Sequence, residues 1–328
     1  MNTTKPFMLV DAYSQIFRMF YAVRALSSST GEPSNAVFAM TKFLLKLYDE
    51  YPDFDGAFVF DLGRPPHRLA LAPLYKANRP PMPEALKQQM ETIRNLITAF
   101  GWPVIQQQDW EADDLIACIS KKFSQTKIMI VSSDKDLAQL VNDRVSMLVP
   151  DQTGKGFSVR GPEQVFEKFG VSPQQIPDYL AIIGDSVDNI PGVNGAGPKT
   201  AAQLISQCGS IHNMLEHPEK IIREKLRTKI LDSKDLLQKN MQLIQLVQDP
   251  PAEAVWTEET FHRKMPDFEA VFQIAQHYEL KSLLGNLKRR LETSSEKRFS
   301  LSSEPYAKSS ASVENSQKSA SMEQMNLF

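Results

Sequence analysis

Cysteine is nearly absent from this sequence: Cys118 and Cys208 are the two in 328 residues. Two cysteines make neither a disulfide framework nor a thiolate zinc cluster. Long apolar runs are missing as well. No stretch approaches the ~20 apolar residues of a membrane-spanning helix. The first fifteen residues, MNTTKPFMLVDAYSQ, hold too short an apolar run for a signal peptide, so the expected location is the cytoplasm. None of the five histidines has an evident Ser or Cys partner, which leaves a nucleophilic triad without support. The G-x-x-x-x-G-K-[ST] loop of ATP-driven enzymes is absent too.

What remains is ordinary in bulk, at 42% hydrophobic and 23% charged residues, and long enough for one large or two small domains. The order of elements is more informative. Short apolar runs at Phe7–Val10, Ala57–Phe60 and Lys127–Val131 read as strands, with Val104–Gln106 and Ser146–Val149 as weaker ones. Helical patterns at Asn35–Glu50, Glu84–Phe100, Ala112–Phe123 and Lys135–Val141 alternate with them. Alternation of this kind predicts an α/β fold with a mostly parallel sheet covered on both faces. Ligands of such sheets bind beyond the carboxyl ends of the strands.

Acidic residues gather at those ends. Asp11 and Asp61 follow the first two strands, and Asp134 and Asp136 follow Lys127–Val131. Glu111, Asp113 and Asp114 open a helix, and Asp185 and Asp188 lie three apart in a turn. Taken singly, each group is what a helix start or strand end looks like. Nine carboxylates directed to one rim would repel each other unless cations neutralise them. Hard oxygen ligands without nearby His or Cys favour Mg²⁺ or Mn²⁺. Two such ions ~4 Å apart can activate a water and stabilise a leaving oxygen, which implies phosphodiester hydrolysis.

Directly after Asp188 come Gly192, Gly195 and Gly197, then Pro198, Lys199 and Thr200 at the start of a helix. Glycines before a helix N-terminus let backbone N–H groups approach a phosphate. Between residues 62 and 94 lies a proline-punctuated segment. It carries Arg64, Arg68, Lys76, Arg79, Lys87 and Arg94 against Glu84 and Glu91, a local charge of +4. The net charge of the chain is −2, but setting the nine carboxylates aside leaves +7 on the rest. A metal-filled site would leave a basic surface suited to a phosphate backbone. From Ser294 to Ser321 serine dominates and periodicity is lost, which predicts a disordered tail.

The motifs LVDAYSQIFR, VFDLGRPPHR, LYKANRPPMP, EADD, SDKDLAQL and GDSVDNIPGVNGAGPKTA, in that order, resemble the 5′ nuclease (flap endonuclease) family. The similarity is greatest to the N-terminal 5′→3′ exonuclease domain of bacterial DNA polymerase I, and it covers about Phe7–Leu291. It implies a PIN-like core over 1–170 with a basic arch at about 62–94. A helical domain with a helix–hairpin–helix motif would follow over 171–291, and a tail over 292–328. By resemblance, Asp11, Asp61, Glu111 and Asp113 hold a first metal ion and Asp134, Asp136 and Asp185 a second, with Asp114 and Asp188 in an outer set. Lys76 would assist at the scissile phosphate, Arg79 and Arg18 would lie near it, and Tyr75 would stack on a base. Gly192–Lys199 would grip duplex backbone, in this family often with a bound K⁺. The implied substrates are DNA 5′ flaps, nicks and free 5′ ends, in replication or repair.

Some positions depart from the family pattern. Ala12 and Ser133 stand where glycine is usual, His67 where Phe is usual, and Leu69 where an acid is usual. A Cβ at 12 or 133 would crowd the metal site, so the alternative expectation is a DNA-binding paralogue with weakened catalysis. The chain looks like a stand-alone nuclease, and its terminal Gln324-Met325-Asn326-Leu327-Phe328 resembles a peptide that binds the bacterial sliding clamp. Leu327 and Phe328 would fill an apolar pocket on a flexible tether. Deleting Gln324–Phe328 is expected to abolish clamp binding in a surface-immobilised binding assay while leaving cleavage without clamp unchanged.

Overall fold

The computed structural model describes residues 5–151 and 156–302. The expected clamp peptide and most of the serine-rich tract lie outside the described residues. Six strands form one sheet: β1 Phe7–Asp11, β2 Asp55–Val59, β3 Val104–Ile105, β4 Ile128–Val131, β5 Val145–Pro150 and β6 Phe157–Arg160. Their order is β3-β2-β1-β4-β5-β6, and all neighbours are parallel except β5 and β6. The antiparallel edge strand β6 was not anticipated, since FSVR is short and half-exposed and has no apolar run to betray it.

In β1, Phe7 and Leu9 face one core and Met8 and Val10 the other, all buried. Burial of both faces explains why the strand reads as continuous apolar sequence. The helices of the N-terminal half are α1 Ala12–Ala22, α2 Asn35–Glu50, α3 Pro66–Leu71, α4 Glu84–Lys87, α5 Met90–Ala99, α6 Ala112–Lys122 and α7 Pro162–Phe169. The expected helix over Glu84–Phe100 is broken into α4 and α5. At the break, the buried Gln89 side chain accepts the N–H groups of Ala36 and Val37 at the start of α2. The expected helix after Asp134 is a short 3₁₀ turn, Asp136–Leu140.

The helices that follow are α8 Ile176–Ile183, α9 Pro198–Cys208, α10 Ile211–Glu216, α11 Glu224–Asp232, α12 Lys234–Ile244, α13 Phe268–His277 and α14 Lys281–Ser302. They do not form one unit. Buried residues of α8 to α12 join the core on the α6 face of the sheet. Phe268, Val271, Leu283 and Leu287 of α13 and α14 pack with α2 and α5 on the opposite face. Hydrogen bonds fasten that return, from Lys264 N to Gly101 O and between Thr92 and Tyr278. Helix α14 continues to Ser302, past the boundary expected near 292. Glu, Lys, Arg and Leu are good helix formers, and the helix ladder needs no apolar partner to extend.

Two glycines fix how the Asp185–Asp188 turn meets the hairpin that follows it. Gly184 has φ +74, and a Cβ there would stand 2.3 Å from Gly192 N. A Cβ on Gly192 would stand 2.2 Å from Ile183 O. Backbone crosses backbone here, so the crossing itself requires glycine at 192. Asp185 and Ile190 exchange two backbone hydrogen bonds of 2.7 Å and close the turn between them. Gly192→Ala is expected to destabilise the protein by roughly 1–3 kcal/mol, the usual cost of overpacking, measured as a lower urea midpoint at unchanged slope.

Candidate active site

The strand order reverses direction of travel between β1 and β4, and a crevice opens at such a switch point. Asp11 ends β1 and caps α1, accepting Ser14 N at 3.2 Å and the Ser132 hydroxyl at 2.8 Å. Ser132 follows β4, so this bond ties the two strand ends together. Asp61, just beyond β2, accepts Ala112 N at 3.2 Å. Asp134 accepts Asp136 N at 2.9 Å. Asp11, Asp61, Glu111, Asp113 and Asp134 line one cleft of about 560 Å³, together with Tyr13, Phe17, Arg64, Lys76, Arg79 and Met82.

Burial first, then the charges of Asp61 and Asp134, push the Asp11 carboxyl up to about 7. Burial and the charges of Asp134 and Asp188 push Asp136 to about 8. Asp113 rises for the same reasons, burial before Asp134 and Asp11, and burial raises Asp61. For Glu111 burial acts upward too, yet Lys76 and Arg68 outweigh it and hold the carboxyl below its ordinary range.

Cations of the arch segment explain the exception. Arg68 is 1% exposed; its guanidinium spans both oxygens of Asp114 at 2.5 and 2.8 Å and reaches Glu111 at 2.5 Å. Its Nε donates to Leu243 O in α12 at 2.9 Å. Lys76 Nζ donates to Glu111 Oε1 at 2.6 Å, and Arg79 holds Asp188 at 2.5 Å. Lys135 pairs with Asp185 at 3.0 Å. The segment is also laced by its backbone: Lys76, at φ +56, donates its N–H to Asp188 O, and Asn189 and Asn78 side chains bond Leu74 O and Ser186 O. In this arrangement the arch is folded onto the site.

Several sequence expectations change here. Tyr75 lines the cleft, but it is 5% exposed and its hydroxyl donates to Glu111 at 3.2 Å, so its ring is largely covered in this arrangement. The other aromatic side chains that line the cleft are Tyr13 and Phe17, which face the same way because they lie four apart on α1. The sequence could have offered them through that spacing from Asp11. Arg18 does not line the cleft; it bonds Gln15 at 3.3 Å and lies over the Phe157 ring at 5.4 Å. Asp114 has both oxygens taken by Arg68 and one also by Val247 N, which fits an outer supporting position and not direct ligation. Asp136, Asp185 and Asp188 stand beside the cleft without lining it. Ala12 is fully buried in the core, Ser133 is exposed, and neither lines the cleft. The side chains at the two departures therefore do not crowd the carboxylates. Arg68, counted in the sequence only as surface charge, is the residue whose role was missed.

Among the described residues no three acidic, His or Cys side chains are arranged closely enough to enclose an ion. The donor set nevertheless fits divalent cations. Asp11, Asp61, Asp113 and Asp134 are hard oxygen donors without a chain cation bonded to them, and burial with mutual repulsion raises three of the four. The hairpin is different. The carbonyls of Ile190, Pro191, Val193, Asn194 and Gly197 each already accept a hydrogen bond, from Asp185 N, Asn240, Ala196 N, Lys229 and Ala201 N. Those of Gly192, Gly195 and Ala196 accept none among the described residues, and they are the carbonyls left open to the expected K⁺.

Comparison with known proteins now decides the family. The profile described as "5'-3' exonuclease, N-terminal resolvase-like domain" matches residues 6–170, and "5'-3' exonuclease, C-terminal SAM fold" matches residues 171–269. The chain belongs to the 5′-3′ exonuclease family. A 5′-3′ exonuclease of Aquifex aeolicus is 38% identical over 282 residues, which is 85% of this chain and 94% of that one. DNA polymerase I of Thermus thermophilus is 35% identical over 84% of this chain, but the match spans 32% of the polymerase. Among solved structures, phage T5 5′-exonuclease with bound zinc has a TM-score of 0.61 at 22% identity, covering 87% of this chain and 99% of that one. The catalytic core of Rad2 in complex with DNA has a TM-score of 0.56 at 17% identity, covering 84% and 88%. These two likenesses carry the fold: a mostly parallel sheet of resolvase type joined to a helical domain. Family membership makes the chain a nuclease, an enzyme that hydrolyses DNA. Among the described residues no helix is long and apolar enough to cross a membrane.

A carboxyl whose pKa is raised on folding binds more protons in the native state, so stability falls as pH rises through the native value. With Asp11 raised from 3.8 to about 7 and Asp136 from 3.8 to about 8, the metal-free protein is expected to lose melting temperature between about pH 4 and pH 8. Millimolar Mn²⁺ is expected to flatten that profile, and Asp136→Asn to reduce it without metal. Differential scanning calorimetry in EDTA and in Mn²⁺ measures both.

Proposed function

We propose that this exonuclease is a metal-dependent 5′→3′ exonuclease and flap endonuclease, acting on DNA with 5′ flaps, nicks or free 5′ ends during replication or repair. The observation that carries the reading is the cleft of buried carboxylates at the sheet's switch point, whose mutual repulsion no cation of the chain fully relieves. Asp11, Asp61, Asp113 and Asp134 would hold the ions, with Mg²⁺ or Mn²⁺ best suited to an all-oxygen set. Divalent ions there would supply an activated water and charge neutralisation at the scissile phosphate.

The chain's own residues do the rest. Lys76 and Arg79 stand at the mouth of the cleft with their charges already directed inward, at Glu111 and Asp188. A substrate phosphate would draw them from those partners, because phosphate is an equally good acceptor for charged donors. Tyr13 and Phe17 form an aromatic wall on which the unpaired base beside the scissile bond would stack. Arg68 holds Glu111 and Asp114 in place and anchors the start of the arch to α12. Beyond the cleft, Gly195, Gly197, Lys199 and Thr200 would meet the duplex backbone at the start of α9, reading shape and not sequence. Location in the cytoplasm, and docking on the sliding clamp through Gln324, Leu327 and Phe328, belong to the same reading.

A catalytically weakened paralogue is less well supported, since Ala12 and Ser133 do not enter the cleft. The deciding experiment is cleavage of a 5′-labelled flap by purified protein with Mg²⁺ or Mn²⁺. Lys76→Ala and Arg79→Ala are each expected to slow cleavage roughly a hundredfold, the usual cost of losing one electrostatic contact to the transition state, while flap binding changes little. An uncut flap with the unaltered protein would overturn the proposal, and a loss confined to binding would remove the two residues from the chemistry.

A further inference from the structure

The arch gives the cleft more than cations. It also lines the cleft with Pro65 and Leu69 from its start and with Pro80, Pro81 and Met82 further along. Leu69 lies on α3 directly after Arg68, which turns inward to Glu111 and Asp114. It is half-buried, yet among the described residues it packs into neither hydrophobic core. Leu71, two residues on, does pack against the core of the α6 face. What Leu69 faces instead is the cleft.

Apolar side chains beside buried carboxylates serve neither metal ions nor a phosphate, which take oxygen ligands and charged donors. They suit the flat face of a nucleobase. Proline keeps the backbone stiff, and methionine is polarisable and adapts to an aromatic face. Tyr13 and Phe17 present rings to the same cleft from α1. A phosphate drawn to Lys76 and Arg79 brings its bases to the same arch that carries Leu69 and Met82. In a 5′ flap the unpaired strand lies on the 5′ side of the bond that is cut, so that is the base the arch meets. We propose that Leu69, with Met82, seats the unpaired base on the 5′ side of the scissile bond, and that this contact sets which phosphodiester reaches the carboxylates.

This rests on the nuclease reading above, because it needs a flap strand in the cleft. It gives a specific pattern of base dependence. Leu and Met side chains carry no hydrogen-bond donor to read a base edge, so the seat accepts all four bases and holds the larger purines somewhat better, by area alone. Loss of the base altogether removes the contact.

The test uses flaps with a single abasic residue on the 5′ or the 3′ side of the cleaved bond, cut in Mn²⁺ under single turnover. The unaltered protein is expected to cut the 5′ abasic flap about tenfold more slowly, with products spread over neighbouring bonds, and to treat the four natural bases within about fivefold of each other. Leu69→Asn is expected to slow the intact flap about tenfold and the 5′ abasic flap little further, while Leu69→Met keeps both rates. A flap with the fluorescent base 2-aminopurine at the 5′ position reports the seat without metal. In EDTA its emission is expected to change on binding the unaltered protein and to change less than about half as much with Leu69→Asn. Equal cutting of intact and 5′ abasic flaps would overturn the proposal, as would an effect confined to the 3′ abasic flap, or Leu69→Asn slowing intact and abasic flaps alike. If the unaltered protein cuts no flap, the nuclease reading falls, and the 2-aminopurine signal decides the seat by itself.

Discussion

Repulsion among buried carboxylates is the constraint to which the rest of the molecule answers. Asp11, Asp61, Asp113 and Asp134 are brought together because parallel strands leave their carboxyl ends on one rim, and α6 begins at the same place. Left alone, such a group would protonate or push the strand ends apart. The protein meets part of the charge itself. Arg68 neutralises the side of the cluster that faces the second group of helices, and Lys76, Arg79 and Lys135 meet the side that faces solvent. Asp11, Asp61, Asp113 and Asp134, in the middle, bond no cation among the described residues, and that remainder is the chemical capacity of the site.

Much of this could be read from the sequence. Strands that are buried on both faces announce themselves as apolar runs, so β1, β2 and β4 and the acids after them were legible. So was the glycine-rich approach to α9. Arg68 was not, because a sequence gives the charge of a side chain and not its burial; an arginine among prolines looks like surface. Tyr75 misled for the complementary reason. An aromatic residue between basic ones suggests stacking on a base, whereas its hydroxyl is spent on Glu111 inside the protein. Gly192 was legible as a glycine ahead of α9, but its steric role in the crossing with Gly184 was not. The edge strand β6 and the return of α13 and α14 to the far face depend on long-range pairing that no local pattern encodes.

The two faces of the sheet consequently have different work. The α6 face carries the carboxylates, the Asp185–Asp188 turn and the hairpin, and its parts are joined through polar contacts such as those of Asn240 and Arg68. The opposite face is closed by α2 and α5 and by α13 and α14, whose buried contacts are apolar.

One feature bears on how a strand of DNA gets in. The residues from Leu74 to Arg79 are sewn to Ser186–Asn189 by backbone and side-chain bonds, including one from Lys76 N to Asp188 O. The entrance and the acidic turn are thus one mechanical piece. Any motion wide enough to pass a nucleotide chain must unpick that seam, and in doing so it frees Asp188 of Arg79 and Glu111 of Lys76. Opening of the entrance and the release of Asp188 and Glu111 from their internal partners are therefore a single event.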